Sequence, residues 1–237
     1  MKKTLAIILS VFLTFSNLSA QMVDATVSLT GNVFNSITRE PETVGIILYD
    51  SEGNKVGATR SNSAENGSYV ISGLKPGKMY DLKLKRKSYM ETKYSFTVPQ
   101  TTEYKELSHD FLVIPLEKGG MVPIAVPPFE VNKSKLRVGA DISLDYYVNI
   151  LALPENKNVI FTIMCFADND KNQKENTELT DERTTAIYQY LVSKGIDAAR
   201  IKKESSKRTS TIDPPKNGKE SKGKRYIGKS YFRIDSF

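Results

Sequence analysis

The 237 residues contain one cysteine, Cys165, and one histidine, His109. One thiol excludes an intramolecular disulfide. Its position inside the apolar run Val159 to Phe166 marks it as a buried packing residue rather than a reactive thiol. With one histidine there is no HExxH zinc motif, and no motif marks a Ser-His-Asp set. His109, near the end of the first half, reads as a structural or surface residue. A pair of carboxylates could in principle act as a glycosidase, but nothing in the sequence singles out such a pair. The chain is therefore expected not to be an enzyme, and to need neither cofactor nor metal. Long apolar runs are scarce as well. Beyond the first 20 residues none approaches the roughly 20 residues of a membrane span.

The apolar run that does stand out follows Met1-Lys2-Lys3. It extends from about Leu5 to Phe15 and ends in Leu18-Ser19-Ala20 before Gln21. Basic start, short apolar stretch and small residues at the end are the signature of a secretory signal peptide over residues 1–20. No cysteine follows Ala20, so lipoprotein processing is not expected. The chain has 34 basic and 27 acidic residues; Lys2 and Lys3 lie in the leader, which leaves a net charge of +5 without it. Ten of the basic residues fall between Lys202 and Lys229, opposed only by Glu204, Asp213 and Glu220. Such a run reads as a solvated loop, with attraction to cell-wall carboxylates or anionic lipid as the functional reading. Nucleic acid is not an expected partner of an exported chain.

The remaining residues divide into two units. Residues 23–115 read as all-β. Tyr80, Leu82 and Leu84 alternate with polar neighbours, as do Tyr94, Phe96 and Val98. Turn signals at Asp50-Ser51-Glu52-Gly53, Glu65-Asn66-Gly67 and Lys75-Pro76-Gly77 separate short strands, the pattern of a β-sandwich. Residues 116–128, rich in proline and glycine, read as a linker or an extended strand leading onward. Fully extended it would reach about 40 Å. Residues 129–237 mix strand and helix into an α+β unit. Helical spacing is expected over Asp141–Leu153 and Thr180–Lys194, with Thr180 as N-cap and Gly195 as stop. The strands Val159–Phe166 and Tyr231–Ile234 would lie in a mixed sheet with the helices on one face.

The loop between Phe166 and Thr180 carries the chemistry. Asp168 stands at a strand exit and Arg183 in the expected first helical turn. A carboxylate, a guanidinium and the free N–H groups of a helix start together suit a small zwitterion. Calcium is the competing reading of Asp168, Asp170 and Asn172. An EF-hand loop then requires glycine at Gln173 and glutamate at Leu179, and both positions fail.

Cys165-Phe166-Ala167-Asp168, Asn176 and Leu179-Thr180-Asp181-Glu182-Arg183-Thr184 resemble the peptidoglycan-binding domain of OmpA, MotB and Pal. Phe129-Glu130-Val131-Asn132-Lys133-Ser134-Lys135-Leu136-Arg137 resembles its opening strand and turn. The resemblance covers about residues 126–237. Cys165, Ala167, Lys171 and Thr184 depart from the family's glycine, threonine, glycine and alanine. The resemblance implies binding of the diaminopimelate of peptidoglycan stem peptide. Asp168 would pair with its ammonium and Arg183 with its carboxylate, while Asn176, Thr180 and Glu130 stand near the pocket. The N-terminal residues Gly31-Asn32-Val33, Asn66-Gly67-Ser68-Tyr69 and Leu74-Lys75-Pro76-Gly77 resemble the carboxypeptidase regulatory-like domain. That is a transthyretin-like sandwich that serves as a spacer or interaction module. These resemblances imply a periplasmic wall anchor of a Gram-negative bacterium, associated with the outer membrane and joined to an outer-membrane or secretion partner. The alternative is a degenerate adaptor that keeps the fold without binding peptidoglycan. A wall-cutting enzyme ranks third.

Overall fold

The computed structural model describes residues 26–215 and 226–237. The leader, Gln21 and the middle of the basic stretch lie outside the described residues. The N-terminal half is a sandwich of two four-stranded sheets. One contains β4 (Ser68–Leu74) and β1 (Val27–Asn35), with β7 (Lys105–Ser108) and β8 (Phe111–Val113) both parallel to β1. The other runs β3 (Lys55–Arg60), β2 (Gly45–Asp50), β5 (Met79–Lys85), β6 (Thr92–Thr97), all antiparallel. Period-two alternation places Tyr80, Leu82 and Leu84 in the core between the sheets, opposite Leu29, Tyr69 and Ile71. The turn signals act where expected. Asn66 and Gly67 both take positive φ, 56° and 74°, before β4, and a side chain at Gly67 would run into the backbone of Val33.

The C-terminal half is a mixed sheet in the order β11 (Ile201–Ser205), β10 (Ile160–Cys165), β12 (Ser230–Ser236), β9 (Met121–Pro123). Helix α1 (Ala140–Leu151) precedes β10, and α2 (Gln173–Ser193) connects β10 to the parallel β11. Phe161, Ile163, Phe232 and Ile234 share one sheet face. They pack with Leu144, Tyr147 and Val148 of α1 and with Ile187 and Leu191 of α2. Both helices thus cover the same face. The opposite face carries Thr162, Lys202, Glu204, Arg233 and Asp235, joined by hydrogen bonds and ion pairs.

Residues 116–128, expected as linker or leading strand, hold β9. Gly119 N–H donates to the Ile234 carbonyl at 2.7 Å, Ile234 N–H to Gly120 at 3.0 Å, and Ile124 N–H to Ser230 at 3.0 Å. Pairing with β12 therefore runs from Gly119 to Ile124. The two halves also touch. Met90 and Ile114 belong to the C-terminal core cluster. The buried Asn156 side chain bonds both backbone groups of Glu91, at 3.0 and 2.8 Å. No described helix is long and apolar enough to cross a membrane.

Candidate functional site

The expected helix start at Thr180 needs correction. Helix α2 begins seven residues earlier, at Gln173, with Asn172 as N-cap; the Asn172 side chain accepts from Glu175 N–H at 3.4 Å. Thr180 is fully buried inside the helix. Its hydroxyl donates to the carbonyls of Asn176, at 2.9 Å, and of Ser206, at 3.2 Å. Arg183 accordingly lies in mid-helix, where no free N–H groups of a helix start are at hand. The helix face that carries Asn176, Thr180, Arg183, Ile187 and Leu191 is the buried one, so Arg183 occupies a core position.

Asp168 and Arg183 meet, but they meet each other. The guanidinium forks the carboxylate: Nη1 to Oδ1 at 2.7 Å and Nη2 to Oδ2 at 2.9 Å. Their side chains are 0% and 2% exposed. Arg183 Nε also donates to the Lys133 carbonyl at 2.9 Å, and Nη2 to the Glu130 carbonyl at 3.0 Å. The carboxylate accepts two further backbone bonds, from Asn132 N–H at 2.7 Å and Gly228 N–H at 2.6 Å. Phe129, also fully buried, places its ring 5.2 Å from the guanidinium carbon. Burial alone would raise the Asp168 carboxyl pKa. The Arg183 fork and the Asn132 and Gly228 amides outweigh burial and hold it below the usual carboxylate range.

The pair therefore ties four segments together: the 130–133 turn, the exit of β10, helix α2 and the approach to β12. Glu130 takes part through its backbone carbonyl; its side chain is exposed and pairs with Lys133. Asn176 likewise spends its amide on the fold, donating to the carbonyls of Asn169 at 2.6 Å and Lys207 at 3.1 Å. Asp170 holds Thr209 through its backbone N–H and its hydroxyl, so the Asp168-Asp170-Asn172 series does not converge. No group of three or more metal-ligating side chains occurs among the described residues.

Two contributors escape the sequence reading. Asn132 takes a left-handed conformation, φ 55°, and its N–H bonds Asp168. Gly228 brings its backbone so close that an added Cβ would sit 1.8 Å from the Phe166 carbonyl oxygen. The only sequence signal for either is the residue type, since asparagine and glycine are the types that tolerate such positions. Cys165 is buried with Sγ 3.3 Å from Ser230 Oγ, and burial pushes its thiol up to about 12. That makes it inert at neutral pH.

Residues 128–225 match the family model described as OmpA family. Among solved structures, the OmpA-like domain of FopA1 from Francisella tularensis is similar at 15% identity and TM-score 0.35, over 46% of this chain and 70% of that one. The peptidoglycan-associated lipoprotein from Burkholderia pseudomallei is similar at 14% identity and TM-score 0.38, over 46% of this chain and 87% of that one. The 5-hydroxyisourate hydrolase of Klebsiella pneumoniae is similar at 17% identity and TM-score 0.31, over 38% of this chain and 90% of that one. Of two other similar structures the chain spans 17% and 41% of the whole length. No curated protein matches the chain. The chain carries, over residues 128–225, a domain of the OmpA family.

Proposed function

We propose that the protein is a non-covalent anchor in the cell envelope, placed in the periplasm. Its OmpA family domain would hold the diaminopimelate-containing stem peptide of peptidoglycan, and its sandwich would contact an outer-membrane or secretion partner. The observation that carries this reading is the convergence of Asp168 and Arg183 within the matched residues, linked to the 130–133 turn. The two charges of a zwitterion would exchange for the internal partners. The ligand carboxylate would take a place in the Arg183 fork, and the ammonium would take Asp168. This exchange requires the 130–133 turn to lift, because both charges are closed to solvent. Each charge-assisted hydrogen bond contributes about 1.5–3 kcal/mol. A single site that must also break an internal fork binds weakly, and grip comes from many copies on a polymer.

A second reading is favoured by the saturation of the pair. A guanidinium that already has a carboxylate and two carbonyls serves the fold without a ligand, and the domain would then act as a protein-contact adaptor. Sedimentation of the wild-type protein with purified sacculi separates the two. The anchor should co-sediment, resist about 0.5 M salt, and be released by excess muropeptide containing meso-diaminopimelate. Salt release alone would assign binding to the basic stretch, and absence from the pellet would favour the adaptor.

A further inference from the structure

The segment that closes the Asp168–Arg183 pair has little else to hold it down. Phe129 is fully buried and Leu136 packs against the C-terminal core, but none of the residues from Glu130 to Lys135 between them is buried. Arg137 N–H donates to the Pro128 carbonyl at 2.9 Å and ties the two ends of the segment together. The result is a small loop with a closed base, which can lift as a unit between two apolar anchors. Burial of apolar side chains contributes nothing to keeping its middle in place. The Glu130 and Lys133 side chains pair with each other, inside the loop, and fasten it to no other element.

Polar bonds hold the middle, and their chemistry is that of a zwitterion. The carbonyls of Lys133 and Glu130 accept from Arg183 at 2.9 and 3.0 Å, as a ligand carboxylate would. Asn132 N–H donates to Asp168 at 2.7 Å, as a ligand ammonium would. The loop thus offers the pair neutral counterparts of both ligand charges. A neutral amide or carbonyl bonds less strongly than a charged group, so a zwitterion can replace the loop, but only once the loop has lifted. Two features outside these bonds set how often it lifts. Asn132 is exposed and left-handed, φ 55°, a conformation that alanine adopts less readily. Ser134 Oγ donates to the exposed Glu182 carboxylate of α2 at 2.7 Å. That bond latches the loop to the helix and touches neither Asp168 nor Arg183.

We propose that the loop from Glu130 to Ser134 is an internal competitor of the wall ligand, an autoinhibitory contact whose strength is set by the Ser134–Glu182 latch. The proposal rests on the reading that Asp168 and Arg183 bind the wall. Apparent affinity is the open-state affinity reduced by the fraction of molecules that are open. Weakening the latch should therefore tighten binding, the opposite of losing a ligand contact. The test uses the full chain without its leader and a soluble muropeptide containing meso-diaminopimelate. Ser134→Ala should raise hydrogen exchange at the Asn132 amide about fivefold and tighten muropeptide binding by the same factor. Asn132→Ala, which keeps the backbone N–H, should act in the same direction. Gly228 N–H bonds Asp168 from outside the loop, and its exchange should stay at the wild-type rate. Unchanged exchange at Asn132 in Ser134→Ala, or equal acceleration at Asn132 and Gly228, would overturn the latched loop. Faster Asn132 exchange with muropeptide binding equal to or weaker than wild type would overturn the autoinhibition and leave the anchor reading standing. Faster Asn132 exchange with no muropeptide binding by wild type or either variant would overturn the anchor reading, and the competitor with it.

Discussion

Arg183 is a charged residue at a core position, and this sets what its loss should do. Removing one member of a buried, hydrogen-bonded ion pair leaves the other desolvated and costs about 3–5 kcal/mol. Arg183→Ala and Asp168→Ala are therefore expected to lower the denaturation midpoint markedly, and a loss of wall binding in either would not by itself identify a ligand contact. A melting temperature within a degree or two of wild type for both would contradict the saturated pair. Acid should act through the same carboxylate. The folded pKa of Asp168 is depressed, so its contribution is complete above the unfolded value of about 3.9. It is lost as pH falls below that value toward the folded pKa. Wild type should lose more stability than Asp168→Asn across that window in pH-dependent denaturant titrations. The spacing of Asp168, Asn176 and Arg183 was legible in the sequence, because a family motif records it. Their satisfaction was not. It depends on backbone groups of Glu130, Asn132, Lys133 and Gly228, and a residue type in a sequence does not show which partner its backbone N–H or carbonyl meets. Gly228→Ala tests that hidden part: with Phe166 only 1.8 Å from the new Cβ, it should destabilise by about 2 kcal/mol or more.

At the scale of elements, strands and the later helical turns were readable, and the start of α2 was not. Val159–Phe166 announces β10 by its unbroken apolar run, and Ile187 and Leu191 announce the helix by their spacing. The first turns, Gln173 to Glu178, are polar all round, and only Asn176 among them is buried. Without an apolar stripe there is no periodic signal. Those turns are fixed instead by the Asn172 cap and by the Asn176 bonds to Asn169 and Lys207. The consequence is a division of labour that mutation can measure. Asn172→Ala removes a long, exposed cap bond and should cost about 0.5–1 kcal/mol. Asn176→Ala leaves two carbonyls without their donor near the buried pair and should cost more, about 1–3 kcal/mol. Urea titrations showing the reverse order would mean that the helix is held by its cap and not by its tertiary bonds.

For the whole molecule, the central issue is where the C-terminal unit begins. Proline and glycine between Leu116 and Pro128 gave the segment the look of a tether, since such composition breaks regular structure and carries no long alternating run. Three residues of strand suffice to make it part of the sheet, because β12 offers it an edge and Val122 and Ile124 are buried there. A fragment of residues 126–237 lacks β9 and the Gly119, Gly120 and Ile124 bonds. It exposes the β12 edge and a gap in the core beside Phe232. A fragment of residues 117–237 keeps all of these. It loses the packing of Ile37, Met90, Ile114 and Leu116, the Tyr146 hydroxyl bond to the Leu112 carbonyl, the Lys83–Glu155 ion pair and the Glu91 bonds, which leaves the buried Asn156 side chain short of two partners. The longer fragment is therefore expected to melt cooperatively below the intact chain, and the shorter one lower still, or without a cooperative transition. Calorimetry of the three proteins decides it. Equal melting of the two fragments would show that β9 adds nothing and that the segment is a tether after all. Equal melting of the longer fragment and the intact chain would show that the two halves are energetically separate.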